Sequence, residues 1–181
     1  QTGLFTYFGD NRKPGQELHN TRPGGNRILR DVFASTHSGA RQTPPFFLFE
    51  SSGRGRDVMF LGLAAPGGSA LSSDEDLVAI WRTTAGKRFQ NYRSVFTVLD
   101  TGTISREWLG ELYHGVQLGE HCPDSWRRWK TTGGYTALTA PNTRIFRNKE
   151  QQLPDDEEGL RILEAIHEHF SPHPTRFENC A

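Results

Sequence analysis

Hydrophobic and polar positions along this chain come in short bursts separated by glycine, proline and serine. Leu4-Phe5-Thr6-Tyr7-Phe8 opens as a strand, because aromatic and β-branched residues suit a pleated, half-buried surface, and it breaks at Gly9. Phe46–Glu50, Asp57–Ala65 and Leu77–Arg82 are further strand candidates, separated by the turn formers Ser51-Ser52-Gly53 and Pro66-Gly67-Gly68. Tyr92–Asp100 alternates cleanly: Tyr92, Ser94, Phe96, Val98 and Asp100 face one way, Arg93, Val95, Thr97 and Leu99 the other. Helical spacing of Ile28, Leu29, Val32 and Phe33 predicts a helix over Arg27–Phe33 with Asn26 as its N-cap. A second helix starts at Ser105, buries Trp108, Leu109, Leu112 and Tyr113, and ends at His114-Gly115; a short third covers 124–130. Tyr135–Leu138 and Thr143–Arg147 are expected as last strands. Pro154 then opens an acidic helix with Leu160, Leu163, Ile166 and Phe170 on one side, stopped by Pro172 and Pro174. Short strands without intervening helices argue for an α+β chain built on a mostly antiparallel β-barrel, with short peripheral helices and a C-terminal helix.

Charge divides the chain in two. Residues 1–149 hold 19 Lys/Arg against 13 Asp/Glu, and residues 150–181 hold 2 against 8. The expected organisation is therefore a basic body over 1–149 and an acidic helix with linker over 150–181. A basic body is what a polyanion binder needs. No apolar run approaches the roughly 20 residues of a membrane span. Gln1 is followed at once by a strand, so a piece of a longer chain is expected. Cys122 and Cys180 show neither metal-type spacing nor a disulfide framework, which fits a reducing cytoplasm.

Chemistry-bearing residues concentrate after the first strand. Tyr7 and Phe8 are followed by Asp10-Asn11-Arg12-Lys13 and the turn Pro14-Gly15, placing rings beside a carboxylate, an amide and two cations. That mixture suits a flat anionic ligand such as a nucleotide: rings to stack, Asp10 to accept from an amino group, Arg12 and Lys13 for phosphate. A core strand running into a solvated loop is the plainer reading. Gly24-Gly25 with Arg22 and Arg27 at a helix start would suit a phosphate, and equally well a glycine entry with two solvated arginines. Trp81-Arg82 and Arg88-Phe89-Gln90-Asn91-Tyr92-Arg93 interleave rings and cations again, and Trp126 and Trp129 lie three apart among further cations. No Walker loop, G-x-G-x-x-G, H-E-x-x-H or G-x-S-x-G is present. The histidines of 114–121 and 167–173 lack the spacing of a metal site. The chain reads as a binder, with no catalytic residues, no metal and no cofactor expected.

Phe5-Thr6-Tyr7-x-Gly9, a polar basic loop and Asn26-x-x-Leu29 on a short helix resemble the SET-and-RING-associated (SRA) domain, a PUA-like barrel. The string Tyr7–Gly15, the Gln152-Leu153-Pro154 entry and the ending His173–Ala181 are similar to the specificity region of bacterial modification-dependent restriction endonucleases. The resemblance implies a domain that reads modified cytosine (5-methylcytosine or a relative) in double-stranded DNA by swinging the base out of the helix. It implies a base pocket of Tyr7, Phe8 and Asp10, with Tyr7 stacking on the base. DNA contacts are assigned by charge and position to Asn11, Arg12, Lys13, Arg22, Arg27, Arg88 and Arg93. The implied partners are modified duplex DNA and a covalently linked Mrr-like or HNH nuclease domain, in a full-length protein that is a candidate homodimer. Rival readings are a PUA-like reader of RNA or single strands, a nucleotide-processing enzyme using Asp10 and a histidine, and a protein-interaction module whose rings are all core.

Overall fold

The computed structural model describes residues 3–53 and 55–139. In chain order these give β1 (Leu4–Phe8), α1 (Gly25–His37), β2 (Phe46–Ser51), β3 (Val58–Pro66), α2 (Ser73–Asp76), β4 (Leu77–Thr84), β5 (Lys87–Val98), α3 (Arg106–Tyr113) and α4 (Asp124–Thr132). The strands form one five-stranded antiparallel sheet in the order β1-β5-β3-β2, with β4 also on β5. The α+β class expected from the sequence holds. Strand β5 is the axis of the sheet. It takes β1 along 93–97, β4 along 87–94 and β3 along 96–98. Because β1 overlaps the stretches paired with both β3 and β4, those two share the opposite edge of β5, interrupted by the excursion 67–76.

Each face of the sheet has its own core. Ala64 and Phe96 pack against Leu29, Val32 and Phe33 of α1. On the other face Leu63, Ala65 and Leu99 pack against Trp108, Trp126 and Trp129, all three rings fully buried. Large aromatics removed from water dominate core energetics, so the Trp126–Trp129 pair is packing and not a platform for bases. Two of the cations beside it, Lys130 and Arg127, are structural too. The Lys130 ammonium donates to the carbonyls of Arg41 (2.6 Å) and Thr43 (3.1 Å), and burial pushes its pKa down. Arg127 donates to the carbonyls of Leu118 and Gly119.

Four local expectations change. Strand β5 begins at Lys87 instead of Tyr92, joined to β4 by the two-residue turn Ala85-Gly86 with φ of 48° and 74°. Positive φ at both positions matches the twist of the flanking strands, as in type I′ hairpins. Helix α1 starts at Gly25, so Asn26 lies inside its first turn and Gly24 holds the cap position. Residues 135–138 make only the bridge Leu99–Ala137 and flanking backbone bonds, not a strand. The apolar stripe of α3 is narrower than expected: Trp108 is buried, whereas Tyr113 is 87% exposed. The Thr143–Arg147 strand, the acidic helix and the boundary at 149/150 lie outside the described residues. Among the described residues no helix is long and apolar enough to cross a membrane.

Candidate nucleic-acid interface

Strand β1 ends in a clasp of short polar side chains. One Asp10 carboxylate oxygen accepts from the Thr21 hydroxyl (2.7 Å) and the Gly25 amide (2.8 Å); the other accepts from the Asn26 amide (3.1 Å). Asp10 thus supplies in trans the cap that Gly24 has no side chain to give. Partial burial pushes its pKa up, but the bonds from Thr21, Gly25 and Asn26 outweigh that and hold it below the usual aspartate value. Asn26 accepts from the Asp10 amide and donates to the Leu18 carbonyl and to Asn91, which donates to the Gly9 carbonyl. A Cβ on Gly9 would stand 1.8 Å from the Asn26 carbonyl oxygen, so only glycine fits there. Asn11, 1% exposed, donates to the carbonyls of Gln16 and Gln90 and accepts from the Lys13 amide.

This geometry gives two of the expected site residues structural partners. Asp10 caps α1, and both its oxygens already accept hydrogen bonds. Asn11 is a buried strut between carbonyls. The start of α1 holds a carboxylate where a phosphate was expected.

Tyr7 and Phe8 are adjacent in a strand and therefore point to opposite faces, which splits the expected single pocket. Tyr7 pairs across to Ser94 and looks toward α1. It rims an apolar cavity of about 290 Å³ lined by Ile28, Leu29, Phe46, Leu48 and Phe96. Phe8 pairs across to Arg93 on the other face. Register carries that face onto Val78, Ile80, Arg82 and Thr84 of β4 and Lys87, Phe89, Asn91 and Arg93 of β5. The tryptophan core covers this face only at the Leu63–Leu99 end. At the other end Phe8, Arg82, Lys87 and Arg93 are exposed. The Arg82 guanidinium lies 5.0 Å above the centre of the Phe8 ring. A polar cavity of about 310 Å³ opens beside that ring, lined by Arg12, Arg82, Thr83, Thr84, Phe89 and Asn91 among others.

Of the cations assigned to DNA by sequence, Arg12 and Arg93 reach the Phe8 face. Lys13 is exposed in the loop after β1, and Arg22 in the loop before α1. Arg27 rides on α1, which packs on the Tyr7 face. Arg88 alternates to that same face. Thr84 and Lys87 went unremarked in the sequence, and Arg82 stood out there only as a cation beside Trp81. Their signal lay in the strand alternation of β4 and β5, which places them on the Phe8 face only once the Ala85-Gly86 turn fixes the register.

A family described as "Restriction endonuclease AspBHI N-terminal" matches residues 1–141. The chain belongs to this family. Among solved structures it is similar to the DNA modification-dependent restriction endonuclease AspBHI, at 47% identity and a TM-score of 0.73, over 77% of this chain and 65% of that one. It is also similar to the DNA recognition domain of the cytosine modification-dependent restriction endonuclease LpnPI, at 40% identity and a TM-score of 0.70, over 78% of this chain and 64% of that one. The chain thus spans slightly less than two thirds of each of those solved chains. A comparison with curated proteins gives no match.

Proposed function

We propose that this chain recognises modified cytosine in double-stranded DNA, as the non-catalytic specificity portion of a modification-dependent restriction endonuclease acting in the cytoplasm. The observation that carries the reading is the open end of the sheet. Phe8 offers a half-exposed ring there, and Arg12 and Arg82 line the cavity beside it. Arg93, which donates to the Glu75 carbonyl, pairs across from it, and Lys87 lies farther along the same face. The β1, β4 and β5 positions that share its face include no carboxylate. Rings that accept a base and cations that hold the flanking phosphates are the two parts a single-base reader needs. Family membership and the modification dependence of AspBHI and LpnPI support the modified-DNA part of this reading. Base flipping extends it: the cost of unstacking one base, a few kcal/mol, is offset by stacking on a protein ring. In this reading Phe8, not Tyr7, is the ring turned to DNA, and a cleavage domain is covalently linked elsewhere in the protein.

The test is a titration of duplexes that differ only in whether one cytosine carries a 5-methyl or hydroxymethyl group, repeated at several salt concentrations. Tighter binding of the modified duplex is expected throughout. Equal affinity would remove modification reading, and preferential binding of RNA would favour a reader of open bases and 2′-hydroxyls. Phe8→Ala should abolish the preference and Tyr7→Ala should leave it; the reverse result moves the base to the α1 face.

A further inference from the structure

We propose that the cavity beside Phe8 is a seat for one phosphate group of the DNA backbone, built by Arg12, Arg82 and Thr84. The proposal rests on the DNA-binding reading above and deepens it. Its basis is an inventory of donors and acceptors around the cavity.

Three of the nine lining residues carry side chains suited to an anion on the Phe8 face: the guanidinium groups of Arg12 and Arg82 and the hydroxyl of Thr84, whereas Thr83 pairs with Arg88 and alternates to the other face. Guanidinium has donors only, and hydroxyls donate readily to an anionic oxygen. The side-chain amide oxygens in the lining are already engaged. The Asn11 oxygen accepts from the Lys13 amide, and the Asn91 oxygen accepts from Asn26. The Gly9 carbonyl accepts from Asn91. No aspartate or glutamate lines the cavity.

A nucleobase edge needs acceptors as well as donors, so a lining with two guanidinium groups and no carboxylate suits cytosine less well than an anion. A phosphate, which only accepts from such groups, is matched. Arginine forks pair with phosphate oxygens through two parallel bonds, which gives position as well as charge.

The place of the cavity gives it a purpose. Phe8 forms one wall and carries the Arg82 guanidinium over its ring. Strand pairing across β4 and β5 sets Arg82 opposite Phe89 and Thr84 opposite Lys87, adding a further cation on the same face. A phosphate fixed here would set the distance between the backbone and the Phe8 ring, so the seat positions a base without reading it. Arg82 links the two by touching both.

The test walks a single neutral methylphosphonate along the modified duplex and measures affinity for the whole chain and for Arg12→Gln and Arg82→Gln. Both arginines are exposed, and both variants should fold, as thermal melts would verify. The wild-type chain should lose about tenfold at one backbone position, and the variants should lose little more at that same position, since the contact is already gone. Each variant should weaken modified and unmodified duplexes alike and flatten the log affinity–log salt slope by about 1. Arg82→Lys should fall between, keeping charge but not the fork. Inorganic phosphate at constant ionic strength is the second arm: competition at low millimolar concentration would assign the seat to free phosphate as well, and its absence restricts the seat to the polymer. The proposal is overturned if the variants bind like wild type, or if their loss and the methylphosphonate loss add independently. A chain that binds no modified duplex at all would instead sink the DNA-binding reading, so the two failures are distinguishable.

Discussion

Asp10 joins three stretches of chain through one carboxylate: its own loop, Thr21, and the first amides of α1. Removing a helix cap costs about 1–2 kcal/mol, so Asp10→Ala should lower stability by that much in urea melts. Its preference for modified over unmodified duplex, measured where it is folded, should be unchanged. The depressed pKa sets the sign of the pH effect. The stability Asp10 adds is complete above the ordinary aspartate value of about 3.9 and is lost as pH falls through the lower folded-state value. Melts of wild type and Asp10→Asn from pH 7 to pH 2.5 should therefore differ constantly near neutrality and converge only at the acid end. Gly9→Ala should be worse, at least about 2 kcal/mol, since its methyl meets the buried Asn26 and Asn91 amides. At this scale the sequence was only half legible. Gly9 and Asn26 stood out as a motif, but their shared purpose depends on Asn91, 65 residues further on, which no local pattern reveals. Polar residues beside rings looked like a ligand site because a buried clasp uses the same residue types.

At the scale of elements, periodicity was informative wherever one face was buried. The alternation of Tyr92, Ser94, Phe96 and Val98 against Arg93, Val95 and Thr97 is the division of faces that β5 shows. Helix α1 follows its Ile28-Leu29-Val32-Phe33 stripe, although Ile28 itself rims the Tyr7 cavity and is half-exposed. The β4–β5 hairpin escaped notice because Ala-Gly is an uncommon pair for a turn with positive φ at both positions. Alanine in that conformation costs roughly 1–2 kcal/mol, partly balanced by the greater unfolded-state freedom of glycine. Ala85→Gly should accordingly stabilise the chain by a few tenths to about 1 kcal/mol, read from the shift of a denaturant midpoint at unchanged slope. Trp126→Ala belongs to the other extreme. It empties a fully buried site between Trp129 and the Lys130 ammonium and should cost about 3–5 kcal/mol.

For the molecule as a whole, burial on the two faces of the sheet narrows where DNA can come. Helix α1 covers part of one face with Leu29, Val32 and Phe33, leaving Tyr7, Trp81 and Arg88 exposed there, and the tryptophans cover one end of the other. The open stretch of that second face runs from Phe8 and Arg93 to Arg82 and Lys87. The excess of cations over 1–149 was visible in the sequence, but its clustering on that stretch was not, because it depends on the pairing of strands distant in the chain. Binding through this surface should weaken steeply with salt for every duplex, while the preference for modified cytosine should survive. The measurement that tests the account most directly is chemical-shift mapping of the chain, arginine and phenylalanine side chains included, as modified duplex is added. The account predicts the largest shifts at Phe8, Arg12, Arg82–Thr84 and Arg93, and little change at Tyr7, Ile28 or the exposed side of α3. Shifts centred on Tyr7 and α1, with the Phe8 face unmoved, would contradict it.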